Sequence, residues 1–307
     1  RVHLADVAGA PAWRAYTISG VDGSRLRISV KRDGVVSTHL HEIMAMGDVL
    51  QITGPFGHVV LPVASSIPKP LLLVSAGIGI TPTVAMLREL VATNDRRPVL
   101  VVHVARDETQ LELWSEVRDL VGRLDDAQLI LHLTRTSSEA CAVHGAISGR
   151  PDIADLLVQF EASDADAFVC GPPAFLRDTL ASLLVSGIDP ERLHAEMFGS
   201  PGGARGVPSV DYAKLRADGP RRVHFAGSGF DAVWTPEYGS LLDLAEANGL
   251  APPANCRSGA CGSCSTRLLA GTILHEVELM LQPRPGHVLL CCAVPRSDDA
   301  SELVIDL

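Results

Sequence analysis

Short apolar runs alternate with helix-length segments between residues 70 and 198. The apolar runs are LLLVS, PVLVVHV, AQLILHL and DAFVC, and the helix-length segments are TPTVAMLREL, QLELWSEVRDLV and PAFLRDTLASLLVSG. Strands that are apolar throughout, without a polar residue at every second position, are typical of a sheet covered on both faces. The pattern predicts an α/β domain with a mostly parallel sheet, at residues 67–200.

Different patterns flank this region. Residues 1–66 contain short alternating segments such as RLRISVK and VLQITG, interrupted by Gly and Pro, which is typical of an antiparallel β-barrel. In residues 221–307, RRVHFA and FDAVW predict a strand pair, SLLDLAEANG predicts a helix that ends at Gly249, and HVLLCCAV and ELVIDL predict closing strands. This order is that of a small β-grasp domain. Residues 201–220 are dense in Gly, Pro and small polar residues and predict a linker.

Composition excludes several classes of protein. The chain has 307 residues, 47% of them hydrophobic, which is ample for packed cores. It has no apolar run of roughly 18 residues, as a membrane helix needs, and no signal-like N-terminus. The seven cysteines form no disulfide framework, which favours a reducing, cytoplasmic setting. The net charge of −10 argues against nucleic acid as a partner.

The cysteines near the C-terminus have a spacing that indicates chemistry. Cys256, Cys261 and Cys264 follow the pattern C-x4-C-x2-C, and Cys291 comes after a long gap. This is the plant-type ferredoxin arrangement for a [2Fe-2S] cluster. Glycines inside the loop allow backbone N–H groups to approach the sulfur atoms. The alternatives are a structural zinc site, which usually needs two close cysteine pairs, or thiols that fill a core.

The fourth ligand is ambiguous because Cys291 and Cys292 are adjacent. The sequence VLLC, followed by three residues and then Pro295, is similar to the last-ligand pattern of plant-type ferredoxins if Cys291 is the ligand. Cys292 would then point to the opposite side of the strand. We therefore predict the ligand set Cys256, Cys261, Cys264 and Cys291.

A glycine-rich turn follows the first apolar run of the α/β region. LLLVS leads directly into AGIGITP, so Gly77, Gly79, Thr81 and Pro82 lie at a strand-to-helix turn. Such a turn presents backbone N–H groups and a helix N-terminus to a pyrophosphate, and Pro82 suits the first helical turn. A glycine turn that only packs a helix on a sheet would have the same sequence.

Three further motifs give the chain its resemblance to a known family. Arg14-Ala15-Tyr16-Thr17 matches R-x-Y-[ST], Gly34-Val35-Val36-Ser37 matches G-x-x-S, and Cys170-Gly171-Pro172 matches CGP. Over essentially its whole length the chain resembles the ferredoxin-NADP reductase superfamily, specifically phthalate dioxygenase reductase and its relatives. These proteins consist of a flavin domain, an NAD domain and a ferredoxin domain, in that order.

The resemblance implies a flavin site in the first domain. It assigns flavin contacts to eight residues: Arg14, Tyr16, Thr17, Val30, Lys31, Ser37, Thr38 and Phe198. The Arg guanidinium suits the flavin phosphate. Phe198 leads into a linker and a ferredoxin instead of ending the chain, as in the FMN-using branch, and we therefore expect FMN rather than FAD. A barrel with Tyr16 in its core and Arg14 at its rim would place the same residue types there.

The resemblance also implies a pyridine nucleotide site, for which it assigns Gly77, Gly79, Thr81, Pro82, Arg106, Asp107, Cys170, Gly171 and Pro172. Arg106 and Asp107 follow the strand VVHVA, where a carboxylate binds the ribose 2′-hydroxyl and an arginine attracts a 2′-phosphate. Relatives with a similar Arg-Asp pair use NADH, so we expect NADH. Surface residues joined by a salt bridge would give the same pair.

The function implied is electron transfer from NAD(P)H through FMN to the [2Fe-2S] cluster and on to an oxygenase. The oxygenase would be a Rieske enzyme or a cytochrome P450, separate or fused. We expect no obligatory acid or base, with Thr17, Thr81 and Cys170 orienting the rings. The alternatives are a stand-alone flavin reductase and a C-terminal module that senses redox state or holds a structural metal. Relatives have about three barrel strands before the flavin arginine, so we expect the barrel to be incomplete at Arg1.

Overall fold

The computed structural model describes residues 2–7, 10–52, 55, 59–62, 69–160, 164–197, 215–254, 259, 262, 264–277, 279 and 282–307. They divide into two compact units, Arg1–Pro151 and Asp152–Leu307. The boundary between the units lies inside the predicted α/β domain of residues 67–200. None of the described helices has both the length and the apolar character that crossing a bilayer requires.

The N-terminal part of the first unit is antiparallel β structure. Strands β1 (Val2–Val7), β2 (Ala10–Arg14) and β5 (Gln51–Ile52) form a sheet in the order β2-β1-β5, and β3 (Ile18–Asp22) and β4 (Arg25–Ile28) form a hairpin. Helix α1 (Val35–Glu42) follows. It begins at the G-x-x-S motif, which contains Ser37, one of the predicted flavin contacts. Val2, Leu4 and Val36 form the small core of this part.

The rest of the first unit has the predicted α/β pattern. Strands β6 (Leu71–Ala76), β7 (Val99–Ala105), β8 (Ala127–Leu133) and β9 (Ile147–Ser148) are parallel and adjacent in chain order. The helices are α2 (Ile80–Thr93), α3 (Trp114–Val121) and α4 (Ser138–Val143). Every residue of β6 and β7 is buried, as the uninterrupted apolar runs predict.

The second unit begins with further α/β structure. Helix α5 (Ile153–Gln159) precedes β10 (Asp166–Gly171), and α6 (Pro173–Val185) connects β10 to β11 (Leu193–Met197). Strands β10 and β11 are parallel neighbours. A helix between two parallel strands is the arrangement that the alternating pattern predicts.

The remainder of the second unit is the predicted small α+β fold. Its elements are β12 (Arg221–Phe225), β13 (Phe230–Trp234), α7 (Leu241–Ala247), β14 (Ser265–Ala270), β15 (Ile273–His275), β16 (His287–Leu289), β17 (Ala293–Pro295) and β18 (Leu303–Ile305). Five of the strands form a sheet in the order β13-β12-β18-β14-β16, and β15 pairs with β17. Trp234, Phe225 and Leu241 are completely buried in the core beneath them.

Two details differ from the sequence expectations. HVLLCCAV is not one strand, because a single 3-10 turn at Leu290–Cys292 separates β16 from β17. The end of the predicted linker, residues 201–220, already packs on the ferredoxin-like fold. The N–H of Ala217 donates to Pro295 O at 2.9 Å, and the N–H of Ser297 donates to Leu215 O at 2.8 Å. Ala217 is 1% exposed, so apolar burial stabilises this contact.

Candidate cofactor sites

The cysteine loop and the 3-10 turn at Leu290–Cys292 lie next to each other. The backbone N–H of Gly259 donates to Sγ of Cys291 at 3.3 Å, and the N–H of Leu290 donates to the carbonyl of Cys264 at 3.3 Å. Two of the four predicted cluster ligands are therefore held in neighbouring segments. Cys256 and Cys261 lie outside the described residues. The described part of the chain contains no group of three His, Cys, Asp or Glu side chains that could hold a metal ion.

The structure separates the two adjacent cysteines. Cys291 is partly exposed and its sulfur accepts a hydrogen bond from the loop, whereas Cys292 is 7% exposed and its thiol is directed at the carbonyl of Leu289, 3.6 Å away. A thiolate that ligates iron is stabilised by peptide N–H groups directed at its sulfur. The contact with Gly259 is of this kind, so the residues present fit an iron-sulfur cluster with Cys291 as a ligand.

The glycine turn lies between β6 and α2, as predicted. Gly77 has φ +52°, Gly79 is buried, and Pro82 lies in the first turn of α2. The Thr81 side chain is 2% exposed, and its hydroxyl donates to Ile78 O at 3.1 Å, which closes the turn. The N-terminus of a 14-residue helix behind a tight turn is a site that suits a pyrophosphate.

Arg106 and Asp107 follow β7, at the same end of the sheet. The Asp107 carboxylate caps the short 3-10 turn Glu108–Gln110, where it accepts from the Thr109 N–H at 3.0 Å. The Arg106 side chain is exposed, and its carbonyl accepts from the Arg135 N–H at 2.7 Å. Thr109 was not among the predicted site residues, although an Asp-x-Thr sequence is a common local cap.

The CGP motif ends β10 and starts α6, with Pro172 at the helix N-cap. Burial and, to a lesser degree, the neighbouring Glu196 raise the pKa of the Cys170 thiol well above its usual value. Cys170 is therefore a neutral thiol, which can donate a hydrogen bond but is a poor nucleophile.

Glu196 is a residue that the sequence analysis missed. It lies on β11 opposite Cys170 in the strand register, and burial raises the pKa of its carboxyl. The signal that could have revealed it is an acidic residue within the otherwise weakly polar strand LHAEM. The same burial therefore disfavours both the charged carboxylate of Glu196 and the thiolate of Cys170.

The flavin motif begins at Arg14, the last residue of β2. Arg14 is exposed at the end of that strand, and Tyr16 packs against the core formed by Val2, Leu4 and Val36. Burial raises the pKa of the Tyr16 hydroxyl, with Arg14 opposing the shift. The Thr17 hydroxyl oxygen is buried and, within the described part of the chain, has no hydrogen-bond partner. A buried polar atom without a partner is costly, so this site fits a ligand that supplies the missing hydrogen bond.

The G-x-x-S motif starts α1, where Gly34 has φ +100° at the N-cap. The Ser37 hydroxyl donates to Gly34 O at 3.0 Å and accepts from the Asp33 N–H at 2.8 Å, so its proton is already used within the turn. The N–H of Thr38 donates to Gly34 O at 3.0 Å. This arrangement leaves the earlier backbone N–H groups at the helix N-terminus to meet a phosphate.

The remaining predicted flavin contacts lie after β4 and beyond β11. The carbonyl of Val30 is 2.7 Å from Nε2 of His41, and the Lys31 ammonium lies 3.6 Å from the Glu112 carboxylate. Val30 and Lys31 therefore both contact other residues of the first unit. Phe198 lies outside the described residues.

Three protein-family models match the chain in the order that the site geometry suggests. The oxidoreductase FAD-binding domain matches residues 1–61, the oxidoreductase NAD-binding domain residues 73–180, and the 2Fe-2S iron-sulfur cluster binding domain residues 224–296. The NAD-binding match covers strands from both structural units. The flavin is therefore placed in a family described as FAD-binding, and the expectation of FMN is not confirmed.

Known proteins match over most of the chain. The ferredoxin reductase component of 3-ketosteroid-9-alpha-monooxygenase from Mycolicibacterium smegmatis is 30% identical, over 93% of this chain and 80% of the relative. A flavohemoprotein from Bacillus subtilis is 35% identical over 61% of this chain, which spans 46% of that relative. The structure of full-length CYP116B46 from Tepidiphilus thermophilus is 26% identical with a TM-score of 0.55, over 92% of this chain and 34% of that protein. The chain belongs to the ferredoxin-NADP reductase superfamily, among the oxygenase reductase components that combine flavin-, NAD- and [2Fe-2S]-binding domains.

Proposed function

We propose that this protein is an NADH-dependent reductase that passes electrons through a flavin to a [2Fe-2S] cluster and from there to an oxygenase. The observation that carries the proposal is the hydrogen bond from the Gly259 N–H to Sγ of Cys291 at 3.3 Å, because it directs a loop amide at a sulfur. Neither a packing thiol nor the usual paired-cysteine zinc site requires such an arrangement. The same chain carries a nucleotide turn and a flavin motif, so the domains proposed to bind the nucleotide, the flavin and the cluster belong to one polypeptide.

Each site has a defined task in this proposal. The bound groups would supply hydride acceptance and one-electron transfer, and the protein supplies position and electrostatics. The turn at Gly77 and Gly79 would bind the pyrophosphate of the nucleotide, with Thr81 and Pro82 closing the turn. Gly171 and Pro172 would bring the neutral Cys170 thiol to the nicotinamide. Cys256, Cys261, Cys264 and Cys291 would hold the cluster. The proposed domain limits are residues 1–66 for the flavin domain, 67–200 for the NAD domain, 201–220 for the linker and 221–307 for the ferredoxin domain.

On the flavin side, the Arg14 guanidinium, Thr38 and the first N–H groups of α1 would bind the phosphate. The unpartnered Thr17 hydroxyl would complete its hydrogen bonding on the ring, and Tyr16 would pack beside it. The phosphate would receive little hydrogen bonding from the Ser37 hydroxyl, because that hydroxyl already donates to Gly34 O and accepts from the Asp33 N–H.

Of the two flavin nucleotides, we infer FAD. The matching family is described as FAD-binding. The expectation of FMN depends on the place of Phe198, which lies outside the described residues, so it has no support from the geometry. Chromatography of the flavin released by acid or heat separates the two cases, because FAD and FMN elute differently. Release of FMN alone would overturn the FAD assignment and leave the electron path unchanged.

The preference for NADH rests on Asp107. Its carboxylate is fixed by Thr109 at the end of β7, where it can accept from a ribose hydroxyl and would repel a 2′-phosphate. The acceptor proposed is a monooxygenase or dioxygenase, either separate or fused, in agreement with the name of the 3-ketosteroid-9-alpha-monooxygenase relative. The cytoplasmic setting predicted from cysteine usage is part of the same proposal.

Anaerobic addition of NADH to the purified protein tests the proposal. Visible absorption follows the flavin, low-temperature electron paramagnetic resonance follows the cluster, and iron and acid-labile sulfide are assayed on the same sample. We expect flavin bleaching together with a reduced [2Fe-2S] signal. Bleaching without a cluster signal, with no iron or with zinc instead, would overturn the electron-carrier function in favour of a flavin reductase or a structural metal module.

A further inference from the structure

Arg27 joins the flavin-binding and NAD-binding parts of the first unit. It lies on β4, and its guanidinium forms a two-pronged ion pair with Glu116 on α3, with Nη1 2.9 Å from Oε2 and Nη2 2.9 Å from Oε1. A two-pronged Arg-carboxylate pair fixes orientation as well as distance. The two residues are 89 positions apart in the chain, so the contact is a tertiary link between the two parts.

The remaining donors of Arg27 fix the guanidinium to its own hairpin. Nε donates to the Ser19 hydroxyl at 3.2 Å, and Nη2 also donates to Ser19 O at 3.0 Å. Ser19 is fully buried on β3, and its hydroxyl also lies 2.9 Å from that of Ser29. The Arg27 side chain therefore has little freedom to turn away from Glu116.

Glu116 is held from the NAD side as well. Nε of Arg88 on α2 lies 2.6 Å from Oε1 of Glu116. Burial alone would raise the pKa of Glu116, but hydrogen bonds from Arg27 and Arg88 outweigh it and hold the pKa below its usual value. The carboxylate is thus charged at neutral pH and bridges a hairpin to two helices. The Lys31–Glu112 pair at 3.6 Å joins the same two parts a few residues away.

The joined elements lead directly to the two nucleotide sites. Strand β3 starts at Ile18, the residue after Thr17 of the flavin motif, and α2 starts at Ile80, the residue after Gly79 of the glycine turn. Helix α2 also packs on β3. A tilt of the hairpin relative to α2 and α3 would therefore displace Thr17 relative to Gly79.

We propose that Arg27 and Glu116 are positioning residues that hold the flavin motif in register with the nucleotide turn and so set the geometry of hydride transfer. The inference rests on the proposed function. It assigns neither residue a contact with a cofactor. Isolated surface ion pairs contribute little to stability. The expected effect is therefore on geometry, where a displacement of about 1 Å can cost on the order of 100-fold in rate.

The test uses the full chain with its cofactors and the variants Arg27→Met, Arg27→Lys and Glu116→Gln. Arg96→Met is the matched control, because it removes an exposed ion pair with Asp125, at 3.9 Å, that stays within the NAD-binding part. Stopped-flow absorption gives the rate of flavin reduction per bound flavin and the apparent Kd for NADH. NADH deuterated at the transferred position gives the isotope effect. We expect Arg27→Met and Glu116→Gln to slow hydride transfer at least about tenfold with little change in Kd, Arg27→Lys to lie between, and Arg96→Met to match the wild type.

A second readout does not depend on turnover. Hydrogen–deuterium exchange of the flavin-free chain should be faster in β3, β4 and α3 of Arg27→Met than in the wild type, and unchanged in Arg96→Met. If Arg27→Met and Glu116→Gln both reduce flavin at the wild-type rate, the positioning role is wrong, while the proposed function stands. If NADH does not reduce the wild-type flavin, the proposed function fails and the inference fails with it. If Arg27→Met does not fold, Arg27→Lys and Glu116→Gln decide, since both keep the volume of the site.

Discussion

The backbone N–H of Gly259 lies 3.3 Å from Sγ of Cys291, across 32 residues of chain. Gly259 adopts φ +71°, a conformation that L side chains rarely take. A Cβ atom built on it would lie 3.0 Å from Sγ of Cys292 and 3.1 Å from Cγ2 of Val277. The loop therefore approaches the two cysteines closely enough to direct an amide at one of them, and only glycine allows this.

This relationship predicts different effects for the two adjacent cysteines. Cys291→Ser should lose most of the iron and labile sulfide and the reduced cluster signal, because the sulfur that receives the loop amide is gone. Cys292→Ser should keep the cluster and lose about 1 kcal/mol or more of stability, since a hydroxyl replaces a thiol in the core. Iron and sulfide assays per chain, with electron paramagnetic resonance, check both. The reverse pattern would make Cys292 the fourth ligand.

Gly259→Ala is predicted to impair the cluster as well as the fold. Gly286→Ala is the matched control, because Gly286 has φ +76° but open space where its Cβ would lie. The control should lose about 1–2 kcal/mol from backbone strain alone. Gly259→Ala should lose a further 1–3 kcal/mol, roughly, from overpacking, together with part of the iron. Urea unfolding and iron content measure the two effects, and equal results for both variants would show that the close approach has no consequence.

Sequence periodicity predicted the parts of the fold that apolar burial determines. The strands from Leu71 and Val99 carry apolar residues at nearly every position because both faces of the sheet are covered, and both are fully buried in the structure. The helix before Gly249 ends where predicted, since Gly249 takes φ +81°. The glycine turn and the cysteine loop could be predicted as sites because both chemistries need particular residue types at a particular spacing.

Tertiary contacts account for what periodicity missed. The 3-10 turn at Leu290–Cys292 interrupts an apolar run that has no polar or glycine signal. Arg216, in the predicted linker, is ordered by partners that come 20 to 60 residues later. The Arg27–Glu116 pair spans 89 positions, and single-sequence patterns carry no information on such a separation. Sites formed by such contacts could not be predicted from the sequence.

His103 gives the NAD-binding part a predicted loss of stability in acid. The ring is 1% exposed, its Nδ1 is 2.9 Å from the Ser75 hydroxyl, and it stacks on Trp114 at 5.7 Å. Burial lowers the pKa of His103 to about 4 from an unfolded value of 6.5. Between pH 6.5 and pH 4, His103 therefore binds a proton in the unfolded chain but not in the folded chain. The free energy of unfolding is highest above pH 6.5 and falls as the pH drops toward 4. The full loss is about 3 kcal/mol.

His103→Gln should reduce this fall in stability at acid pH, since glutamine can keep the hydrogen bond to Ser75 but does not titrate. His144→Gln, at an exposed histidine, is the control. The free energy of unfolding in urea, measured at pH 7 and pH 5, should fall by about 2 kcal/mol more in the wild type and control than in His103→Gln. The same pH dependence in all three proteins would remove His103 as the cause.

Arg216 is predicted to stabilise the ferredoxin-like fold at the end of the linker. Its Nη1 lies 3.0 and 2.9 Å from the two oxygens of Glu276, its Nη2 donates to Pro236 O and Tyr238 O at 3.0 and 2.8 Å, and the guanidinium lies 5.2 Å from the Trp234 ring centre. Arg216→Met would leave a partly buried carboxylate and two carbonyls without this partner, and leaving such polar groups unsatisfied costs about 1–3 kcal/mol.

The loss from Arg216→Met should also reach the cluster. The N–H of Glu276 donates to the carbonyl of Cys292 at 2.9 Å, next to the proposed ligand Cys291. We therefore expect the visible cluster absorbance of Arg216→Met to disappear at a lower temperature than that of the wild type. Arg222→Met is the control, because it removes a 3.4 Å pair with Glu302 in which the arginine side chain is 77% exposed. Exposed pairs contribute about 0–1 kcal/mol, so equal melting of the two variants would show that the partly buried Arg216 contacts add no more than a surface pair.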